Sequence, residues 1–385
     1  MYACVGSSPT DRNFQPGEQH CSSGFLFSGL FVMGKEKTAL KNLTIDELEK
    51  YLERMGQKRF RAAQIAQWVY GKRAAQFSEM TNLSKPLIDQ LQNSSAITKL
   101  PPKYIMKSQS GDAVKFGFEL SGSSFVIESV LLLDDKRRTA CISSQLGCAL
   151  GCTFCETAKL GFIRNLTQEE IVGQIIGIND YLYSQLDKLV TNIVFMGMGE
   201  ALSNFDNFTR SLSLFMDKDI FNIGGRKITV STAGVIPSIE RLMNLDLNIG
   251  LAISLNSWNN ELRNRYMPVN RKYPIEQLVA IAQRYFEKSG RRVTFEYVLI
   301  KGVTDTSQAV SRLGALLGKI PCKINLIPLN SADESSSEVP SENSVVWFSE
   351  ALKRIGLSVM IRKSRGRDIM GACGQLTATH NRSSK

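Results

Sequence analysis

Histidine is nearly absent from this 385-residue chain, in which His20 and His380 lie close to the two ends. The chain has no second C-x2-C pair, so it lacks the two half-sites from which a closed structural zinc site is usually built. No apolar run reaches the length of about 18 residues that a membrane-spanning helix needs. A glycine fingerprint for dinucleotides, internal repeats and low-complexity tracts are also missing. These absences leave a globular protein with 43% apolar residues.

The cysteines carry the clearest chemical signal. Three of the eight, Cys148, Cys152 and Cys155, follow a C-x3-C-x2-C spacing in a short turn. Gly147 and Gly151 let the backbone wrap tightly, so the three sulfurs can converge. Soft thiolates favour zinc or an iron–sulfur cluster. An iron–sulfur cluster normally has four protein ligands, so three cysteines would leave one iron without a protein ligand and free to bind a substrate. A redox dithiol and a chance grouping are the alternatives.

Other cysteines lie outside this turn. Cys141 is on a predicted strand, where a cysteine is commonly a small hydrophobic residue, and Cys322 has the same interpretation. Cys373 lies in the polar loop GACGQL, where a thiol can act as a nucleophile or a covalent carrier. Dispersed cysteines of this kind do not resemble a secreted disulfide framework, which predicts a reducing, cytoplasmic location.

The net charge of +11 is clustered along the chain. Clustered cations bind polyanions, because phosphate neutralisation supplies the sequence-independent part of nucleic-acid affinity. Solvated surface charge is the alternative interpretation. The clustered residues are Lys58, Arg59, Arg61, Lys72, Arg73, Lys136, Arg137, Arg138, Arg263, Arg265, Arg271, Lys272, Arg362, Lys363, Arg365 and Arg367.

The hydrophobic pattern predicts an α/β fold with several parts. Amphipathic helices, the first opened by a capping box of Thr44 and Glu47, predict a helical accessory domain at 41–98. Two alternating strands separated by Ser and Gly predict a β-hairpin linker at 99–137. From 138 to 376 strands and helices alternate, which implies parallel strands, right-handed crossovers and a partial barrel. Residues 1–40 form a leader with no assigned role, and 377–385 form a tail.

Polar residues follow several of the predicted parallel strands. Ligands of such folds bind at the carboxyl ends of the strands. One strand-end Ser, Asn or Gly usually satisfies only backbone groups, but several at one rim beside a cluster favour a bound polar ligand. The candidates are Gly199, Glu200, Ser231, Ser254, Leu255, Asn256 and Asn330.

The run CISSQLGCALGCTFCETAKLGFIRNLTQEEIVGQI, with Phe154 before the last cysteine of the turn, resembles radical S-adenosylmethionine (SAM) enzymes. Over about residues 41 to 376 the chain resembles the RNA methyltransferases of the RlmN/Cfr family. The resemblance implies a (β/α)6 barrel and a small RNA-contacting helical domain. It implies one [4Fe-4S] cluster held by Cys148, Cys152 and Cys155, and SAM, two per turnover, bound by the strand-end candidates. Asn256 stands where the family usually has histidine.

The resemblance also implies a reaction. Cys373 matches the cysteine that one SAM methylates, after which a radical made from a second SAM takes hydrogen from that methyl group and the carbon adds to adenine. Cys141 matches the thiol that releases the product by forming a disulfide with Cys373, and Glu128 matches the proton acceptor. From its own context, Glu128 is predicted to be an exposed strand carboxylate. The implied products carry a methyl group on carbon 2 of adenosine, in 23S rRNA and in tRNA next to the anticodon.

Three alternatives stay open. The first is a Cfr-like enzyme, which would methylate carbon 8 in 23S rRNA and give antibiotic resistance. The motif GMGEAL, with Ala201 in place of a proline, favours this enzyme. The motifs MTNLSK and RKSRG favour methylation of carbon 2. The others are a radical SAM enzyme with a non-RNA substrate and a non-enzymatic metal-binding RNA module. Beyond the RNA substrates, we expect an external one-electron donor such as flavodoxin or ferredoxin, no membrane, and a monomer.

Overall fold

The structure, a computed structural model, describes residues 37–330, 338–377 and 379–380. Most of the predicted leader (1–40) and most of the predicted tail (377–385) lie outside these residues. From Lys37 onward the chain packs as one unit. No helix within the described ranges has the length and apolar character needed to cross a bilayer.

The N-terminal part is helical, as predicted. The Thr44 hydroxyl accepts from the Glu47 amide and the Glu47 carboxylate accepts from the Thr44 amide, so the predicted capping box begins the first helix. The elements are β1 (Thr38–Ala39), α1 (Ile45–Arg54), α2 (Phe60–Ala66), α3 (Lys85–Ser94) and β2 (Ser95–Ala96), which pairs with β1. A π-helical segment, Gln67–Gly71, continues α2.

Three antiparallel strands follow: β3 (Pro102–Lys107), β4 (Ala113–Glu119) and β5 (Phe125–Leu133). Strands β4 and β5 are the predicted hairpin. The sequence pattern misses β3 because Ile105 and Met106 are adjacent and both exposed, which breaks the alternation that marks a half-buried strand.

The remaining elements alternate between strand and helix. In chain order they are β6 (Arg138–Cys141), β7 (Gln145–Gly147), α4 (Glu156–Lys159), β8 (Phe162–Asn165), α5 (Gln168–Leu186), β9 (Asn192–Phe195), α6 (Phe205–Met216), β10 (Ile228–Thr232), α7 (Ile236–Met243), β11 (Gly250–Ser254), α8 (Asn260–Tyr266), α9 (Ile275–Ser289), β12 (Val293–Leu299), α10 (Ser307–Leu317), β13 (Cys322–Pro328), α11 (Glu342–Arg354), β14 (Val359–Ile361) and β15 (Thr379–His380).

The main sheet of the described residues has the order β14-β13-β12-β11-β10-β9-β6-β5-β4-β3, with β15 paired to β5. Strands β6 and β9 to β14 are mutually parallel. Helices connect successive parallel strands, which gives six βα units. The strand order is an open path and not a ring. The predicted partial (β/α)6 barrel with a helical N-terminal part and a hairpin linker is therefore confirmed.

Ion pairs join the N-terminal helices to the barrel. Arg210 of α6 pairs with Glu47 of α1, and Arg73 pairs with Asp180 of α5, both at 2.5 Å. The Arg73 guanidinium also lies 5.0 Å from the centre of the Tyr183 ring. Arg73, predicted from the sequence to belong to a polyanion-binding cluster, thus has its charge paired within the protein.

Candidate active site

Strands β7 and β8 bracket the loop that carries the three predicted cluster cysteines. Gly147 has a φ of +76°, and a Cβ there would lie 1.8 Å from the Gly161 carbonyl oxygen, so only glycine fits. The Cys148 amide donates to the same carbonyl at 2.8 Å. Cys148, Cys152 and Cys155 line one cavity of about 180 Å³, which we call the cluster cavity.

The thiols of this cavity fit an iron–sulfur cube. Burial raises the pKa of Cys148 to about 11, and burial together with the neighbouring thiols raises that of Cys152 to about 12. A bound cation is therefore needed to hold them as thiolates. Among residues 37–330, 338–377 and 379–380, no three Cys, His, Asp or Glu side chains are arranged to hold one metal ion. Three soft thiol ligands on one cavity suit an iron–sulfur cluster.

The strand-end candidates converge on the same cavity, with one exception. Leu255 is buried, its amide donates to the Glu296 carbonyl at 3.0 Å, and it does not line the cavity. The candidates that do line it are Gly199, Glu200, Ser231, Ser254, Asn256 and Asn330.

Glu200 offers an unpaired oxygen to this cavity. Its Oε2 accepts from the Ala233 amide at 2.8 Å, whereas the buried Oε1 has no hydrogen-bond partner within the described part of the chain. Burial raises the pKa of Glu200 to about 7, although the Ala233 amide partly offsets the rise. Gly199 has a φ of +92°, and a Cβ there would lie 2.4 Å from the Cβ of Gln145. An orphaned carboxylate oxygen in a cavity suits an ammonium group, such as the one SAM carries.

A buried arginine, Arg263, holds the ends of β10 and β11 next to Glu200. Arg263 has no exposed surface, and its guanidinium donates to the carbonyls of Ala233, Leu255 and Ser254 at 2.7, 2.9 and 2.9 Å. Burial lowers its pKa to about 10. The prediction that Arg263 belongs to a polyanion-binding surface is wrong, because its side chain is fully buried and donates mainly to main-chain carbonyls, which no side-chain pattern reveals.

Asn256 lines the cluster cavity with its polar atoms already engaged. It adopts a left-handed φ of +53°. Its Oδ1 accepts from the Val298 amide at 3.1 Å, and its Nδ2 lies 3.3 Å from the Met267 sulfur. The carboxamide therefore shapes the wall of the cavity.

The loop with Cys373 is fastened to the cluster loop. The Glu156 amide donates to the Gly374 carbonyl at 2.8 Å, and the buried Thr157 hydroxyl donates to the Leu376 carbonyl at 2.6 Å. The Asn330 side-chain amide lies 3.3 Å from the Cys373 carbonyl. Cys373 is half-buried and lines the cluster cavity.

Cys373 also lines a second cavity, which we call the thiol cavity because Cys141 lines it too. Both thiols are free. Cys141 lies at the end of β6, where burial, and secondarily the nearby Cys373, raises its pKa to about 12. Cys141 does not line the cluster cavity, so Cys373 is the cysteine that reaches both.

Glu128 lies outside both cavities and is not the exposed carboxylate that its sequence context predicts. Only 1% of its side chain is exposed. Its Oε1 accepts from the Tyr104 hydroxyl at 2.6 Å and pairs with the Lys115 ammonium at 3.0 Å. Its Oε2 accepts from the amide of Thr377 at 2.9 Å, in the segment that follows Cys373. The carboxylate is buried because the N-terminal β-sheet supplies donors for it.

Sequence reasoning missed two charged residues that line both cavities, Glu296 and Arg362. Arg362 was predicted to belong to a surface cluster, which is wrong, because most of its side chain is buried between the cavities. A carboxylate in the middle of the apolar strand VTFEYVLI was a signal that could have found Glu296.

Comparisons with known proteins identify the class of enzyme to which this fold belongs. The Radical SAM superfamily model matches residues 142–312. A solved radical SAM methyltransferase from Sphaerobacter thermophilus is 40% identical, with a TM-score of 0.83, over 88% of this chain and 99% of that one. The barrel and its thiol loop are thus those of a radical SAM enzyme.

Matches to the N-terminal helices identify the family within the radical SAM class. Residues 38–97 match the model of the ribosomal RNA large subunit methyltransferase N-terminal domain. A probable dual-specificity RNA methyltransferase RlmN from Alkaliphilus oremlandii is 43% identical over 90% of this chain and 99% of its own length. Its counterpart from Geobacter sulfurreducens is 44% identical over 88% and 91%. The chain belongs to the RlmN family of radical SAM RNA methyltransferases. The alternative of a non-enzymatic RNA module is therefore wrong.

Proposed function

We propose that this protein methylates carbon 2 of adenosine in 23S rRNA and in tRNA next to the anticodon, with Cys373 as the carrier of the methyl group. The observation that supports this most strongly is that Cys373 lines both the cluster cavity and the thiol cavity. The name of the relatives, dual-specificity RNA methyltransferase, supports two kinds of RNA substrate. We expect the protein to act as a cytoplasmic monomer with an external one-electron donor.

The residues that line the cluster cavity would bind the iron–sulfur cluster and SAM. Cys148, Cys152 and Cys155 would hold a [4Fe-4S] cluster, which when bound supplies the electron for reductive cleavage of SAM, a step that no side chain can perform. The free Oε1 of Glu200 would accept from the ammonium group of SAM, and Gly199 lines the same cavity. The apolar walls exclude water from the reacting groups.

The two thiols then act in sequence. The Cys373 sulfur attacks the methyl group of one SAM, forming a sulfur–carbon bond as the sulfonium–carbon bond breaks. Once the carbon has bonded to adenine while still held by Cys373, the Cys141 sulfur attacks the Cys373 sulfur. The sulfur–carbon bond breaks, its electron pair stays with the carbon, which takes up a proton, and the new disulfide releases the methylated base. Two free thiols on one cavity support this pairing.

Glu128 remains our proposed proton acceptor, as predicted. Its buried carboxylate accepts from Thr377, which places it beside the segment that carries Cys373. The same bond supports an additional part for Glu128 in holding that segment against β5.

The start of α2 supports RNA docking. Lys58, Arg59 and Arg61 precede or begin this helix, and Phe60 between them is 53% exposed. The Arg61 guanidinium lies 4.9 Å from the centre of the Phe60 ring. Cations interleaved with an exposed aromatic ring suit a nucleic acid, because they bind phosphates while the ring stacks on a base.

A Cfr-like enzyme that methylates carbon 8 is the second candidate, favoured by Ala201 in GMGEAL. To separate the two, the protein is expressed in cells that lack adenosine C2 methylation, and nucleosides from 23S rRNA and tRNA are identified by mass spectrometry. We expect 2-methyladenosine from both RNAs with the natural protein and with Cys322→Ala, and none with Cys373→Ala. Detection of 8-methyladenosine alone would establish the second candidate.

A further inference from the structure

A surface turn rich in cations forms part of the wall of the cluster cavity. This turn, residues 260–273, which we call the cationic turn, consists of α8 and a short 3-10 helix, Pro268–Arg271, that packs against it. Met267, between the two, is 1% exposed and lines the cluster cavity. The exposed cations of the turn are Arg265, Arg271 and Lys272. The same short stretch of chain therefore faces the cluster cavity on one side and solvent on the other.

Hydrogen bonds beneath the surface hold the cationic turn in one shape. Asn270 is buried, and its side-chain amide donates to Oδ1 of Asn264 at 2.8 Å and to Oδ1 of Asn260 at 3.0 Å. Its Oδ1 accepts from the Arg263 guanidinium at 3.0 Å. Because none of these bonds involves the three exposed cations, those side chains can be replaced without breaking them.

The cationic turn also contacts the loop that carries the cluster cysteines. The amide of Thr153, which directly follows Cys152, donates to the Tyr266 carbonyl at 3.0 Å. Pro268 lies against Gly151, where an added Cβ would be 3.8 Å from the proline Cγ. The positively charged surface is therefore joined directly to the segment that would hold the cluster.

The three exposed cations are not neutralised by neighbouring acidic groups. None of them forms an ion pair with a carboxylate in the described part of the chain. Arg265 and Lys272 lie 5.6 and 5.4 Å from the ring centres of Tyr266 and Tyr273. The acidic residue of the turn is Glu261, at the start of α8. The exposed face of the turn is therefore strongly positive and suits a negatively charged partner.

We propose that the cationic turn is the docking surface for an acidic protein that donates single electrons to the cluster. The inference rests on the proposed function, in which an external one-electron donor acts with this enzyme. Complementary charge speeds such encounters, and a contact of this kind is small, below about 1,200 Å². The donor loses one electron, which the bound cluster gains, so no bond forms or breaks in this step.

The position of the turn favours a protein donor over RNA. The rate of electron transfer falls steeply with distance, so a donor has to dock close to the cluster, and this turn is bonded to the cluster loop. RNA binding has no such requirement. Tyr266 and Tyr273 are also only partly exposed, whereas Phe60 at the start of α2 is 53% exposed. The cationic turn therefore offers less ring surface for base stacking than α2 does.

The test compares two reductants on the holoenzyme. Cluster reduction is followed anaerobically by stopped-flow absorbance with reduced flavodoxin, an acidic protein, and with photoreduced 5-deazariboflavin, a small uncharged molecule that needs no docking surface. The variant combines Arg265→Glu, Arg271→Glu and Lys272→Glu. We expect its second-order rate constant with flavodoxin to fall by about tenfold or more. Its rate with deazariboflavin and its affinity for tRNA should stay unchanged.

The matched control combines Lys218→Glu, Arg226→Glu and Lys227→Glu. These residues are also exposed cations, and their replacement changes the net charge by the same amount. Lys227 directly precedes β10, so it lies at the amino end of that strand, opposite the rim that carries the site. We expect the control to match the natural protein with both reductants.

A second measurement uses the natural protein and does not depend on activity. A carbodiimide joins a lysine amine to a carboxylate that contacts it, without a spacer. In a mixture with flavodoxin, we expect peptide mass spectrometry to find Lys272 joined to flavodoxin carboxylates and Lys227 not joined. This cross-link reports docking itself, whether or not electrons are transferred.

Equal flavodoxin rates for the two triple variants would overturn the proposal, and so would a loss of rate with both reductants, which would locate the effect at the cluster. A loss of tRNA affinity in the first variant would make the turn an RNA surface and would also overturn it. If that variant does not fold, as judged by circular dichroism and iron content, the absence of cross-links at Lys272 decides against it. Failure of the proposed methylation would instead appear as missing 2-methyladenosine with either reductant.

Discussion

The amide of Glu156 donates a hydrogen bond to the carbonyl of Gly374 at 2.8 Å. Glu156 immediately follows the last cysteine of the cluster loop, and Gly374 immediately follows Cys373. One backbone bond thus joins the loop that would hold the cluster to the loop that carries Cys373, the proposed methyl carrier. Thr157 adds a second bond, to the Leu376 carbonyl. These two hydrogen bonds therefore fix the Cys373 loop against the cluster loop.

Thr157→Val removes the second of these bonds with little change in shape. We expect the free energy of unfolding to fall by about 1 kcal/mol, because a buried carbonyl loses its donor. Hydrogen exchange at residues 372–377 should become faster. Thr153→Val, on the exposed part of the same loop, is the control and should leave exchange there unchanged. Equal exchange in both variants would show that the hydroxyl does not hold the Cys373 loop.

Gly147→Ala should abolish cluster binding. The left-handed backbone costs an alanine about 1–2 kcal/mol, and the Cβ would also displace the Gly161 carbonyl that receives the Cys148 amide. Gly111→Ala has a similar φ of +71° but no neighbour within 4 Å, so it isolates the backbone cost. Iron and sulfide analysis after anaerobic reconstitution measures the effect. Full iron content in Gly147→Ala would contradict the tight turn.

Arg263→Met should be strongly destabilising. It removes the donor from the buried carbonyls of Ala233 and Leu255 and from the partly buried carbonyl of Ser254, and each buried carbonyl left without a donor costs about 1–3 kcal/mol. We expect a loss of more than about 3 kcal/mol in the free energy of unfolding, measured in urea. Arg265→Met, two residues later and exposed, should lose less than about 0.5 kcal/mol. Similar losses for both would mean that Arg263 does not brace the ends of β10 and β11.

Glu200→Gln should weaken SAM binding by about tenfold or more, because the charged partner of the ammonium group is lost. Since the pKa of Glu200 is about 7, SAM affinity of the natural protein should rise as the pH rises through that value. Calorimetry over this range measures both effects. Glu261→Gln, which changes an exposed carboxylate on α8, should keep the affinity and the pH dependence. A pH-independent affinity in the natural protein would argue against Glu200 as the ammonium partner.

The raised pKa of Glu200 also makes the stability of the folded protein depend on pH. The pKa of Glu200 is raised from 4.5 to about 7 in the folded protein, so the folded state binds the proton more tightly than the unfolded state. Its contribution to the stability of the ligand-free protein is therefore full below pH 4.5 and is lost as the pH rises through about 7. In Glu200→Gln, this part of the pH dependence of the free energy of unfolding should disappear.

Much of the fold follows from local patterns. The capping box of Thr167 and Glu170 begins α5, and the apolar spacing carries it to Leu186. Alternation of strands and helices implied the parallel sheet, and therefore a common rim for Glu200, Ser231 and Asn330. These inferences succeed because they depend on side chains whose spacing is visible in the sequence.

The wrong predictions of exposed charged side chains have a physical cause. Arg263 and Arg362 read as surface cations because most of their partners are main-chain carbonyls and a methionine sulfur, which have no sequence signature. Glu128 reads as exposed because its donors, Tyr104 and Lys115, come from strands whose register the sequence does not reveal. The charge of a residue therefore does not indicate whether its long side chain is exposed to solvent or buried.

The claim on which the proposed function depends is that Cys373 carries the methyl group. It is tested most directly by incubating the holoenzyme with SAM that bears an isotopically labelled methyl group and mapping the label by peptide mass spectrometry before RNA is added. We predict label on the peptide that contains Cys373, none on the peptide that contains Cys141, and transfer of the labelled carbon to RNA on turnover. Labelled RNA from an enzyme whose Cys373 never carries label would contradict the account.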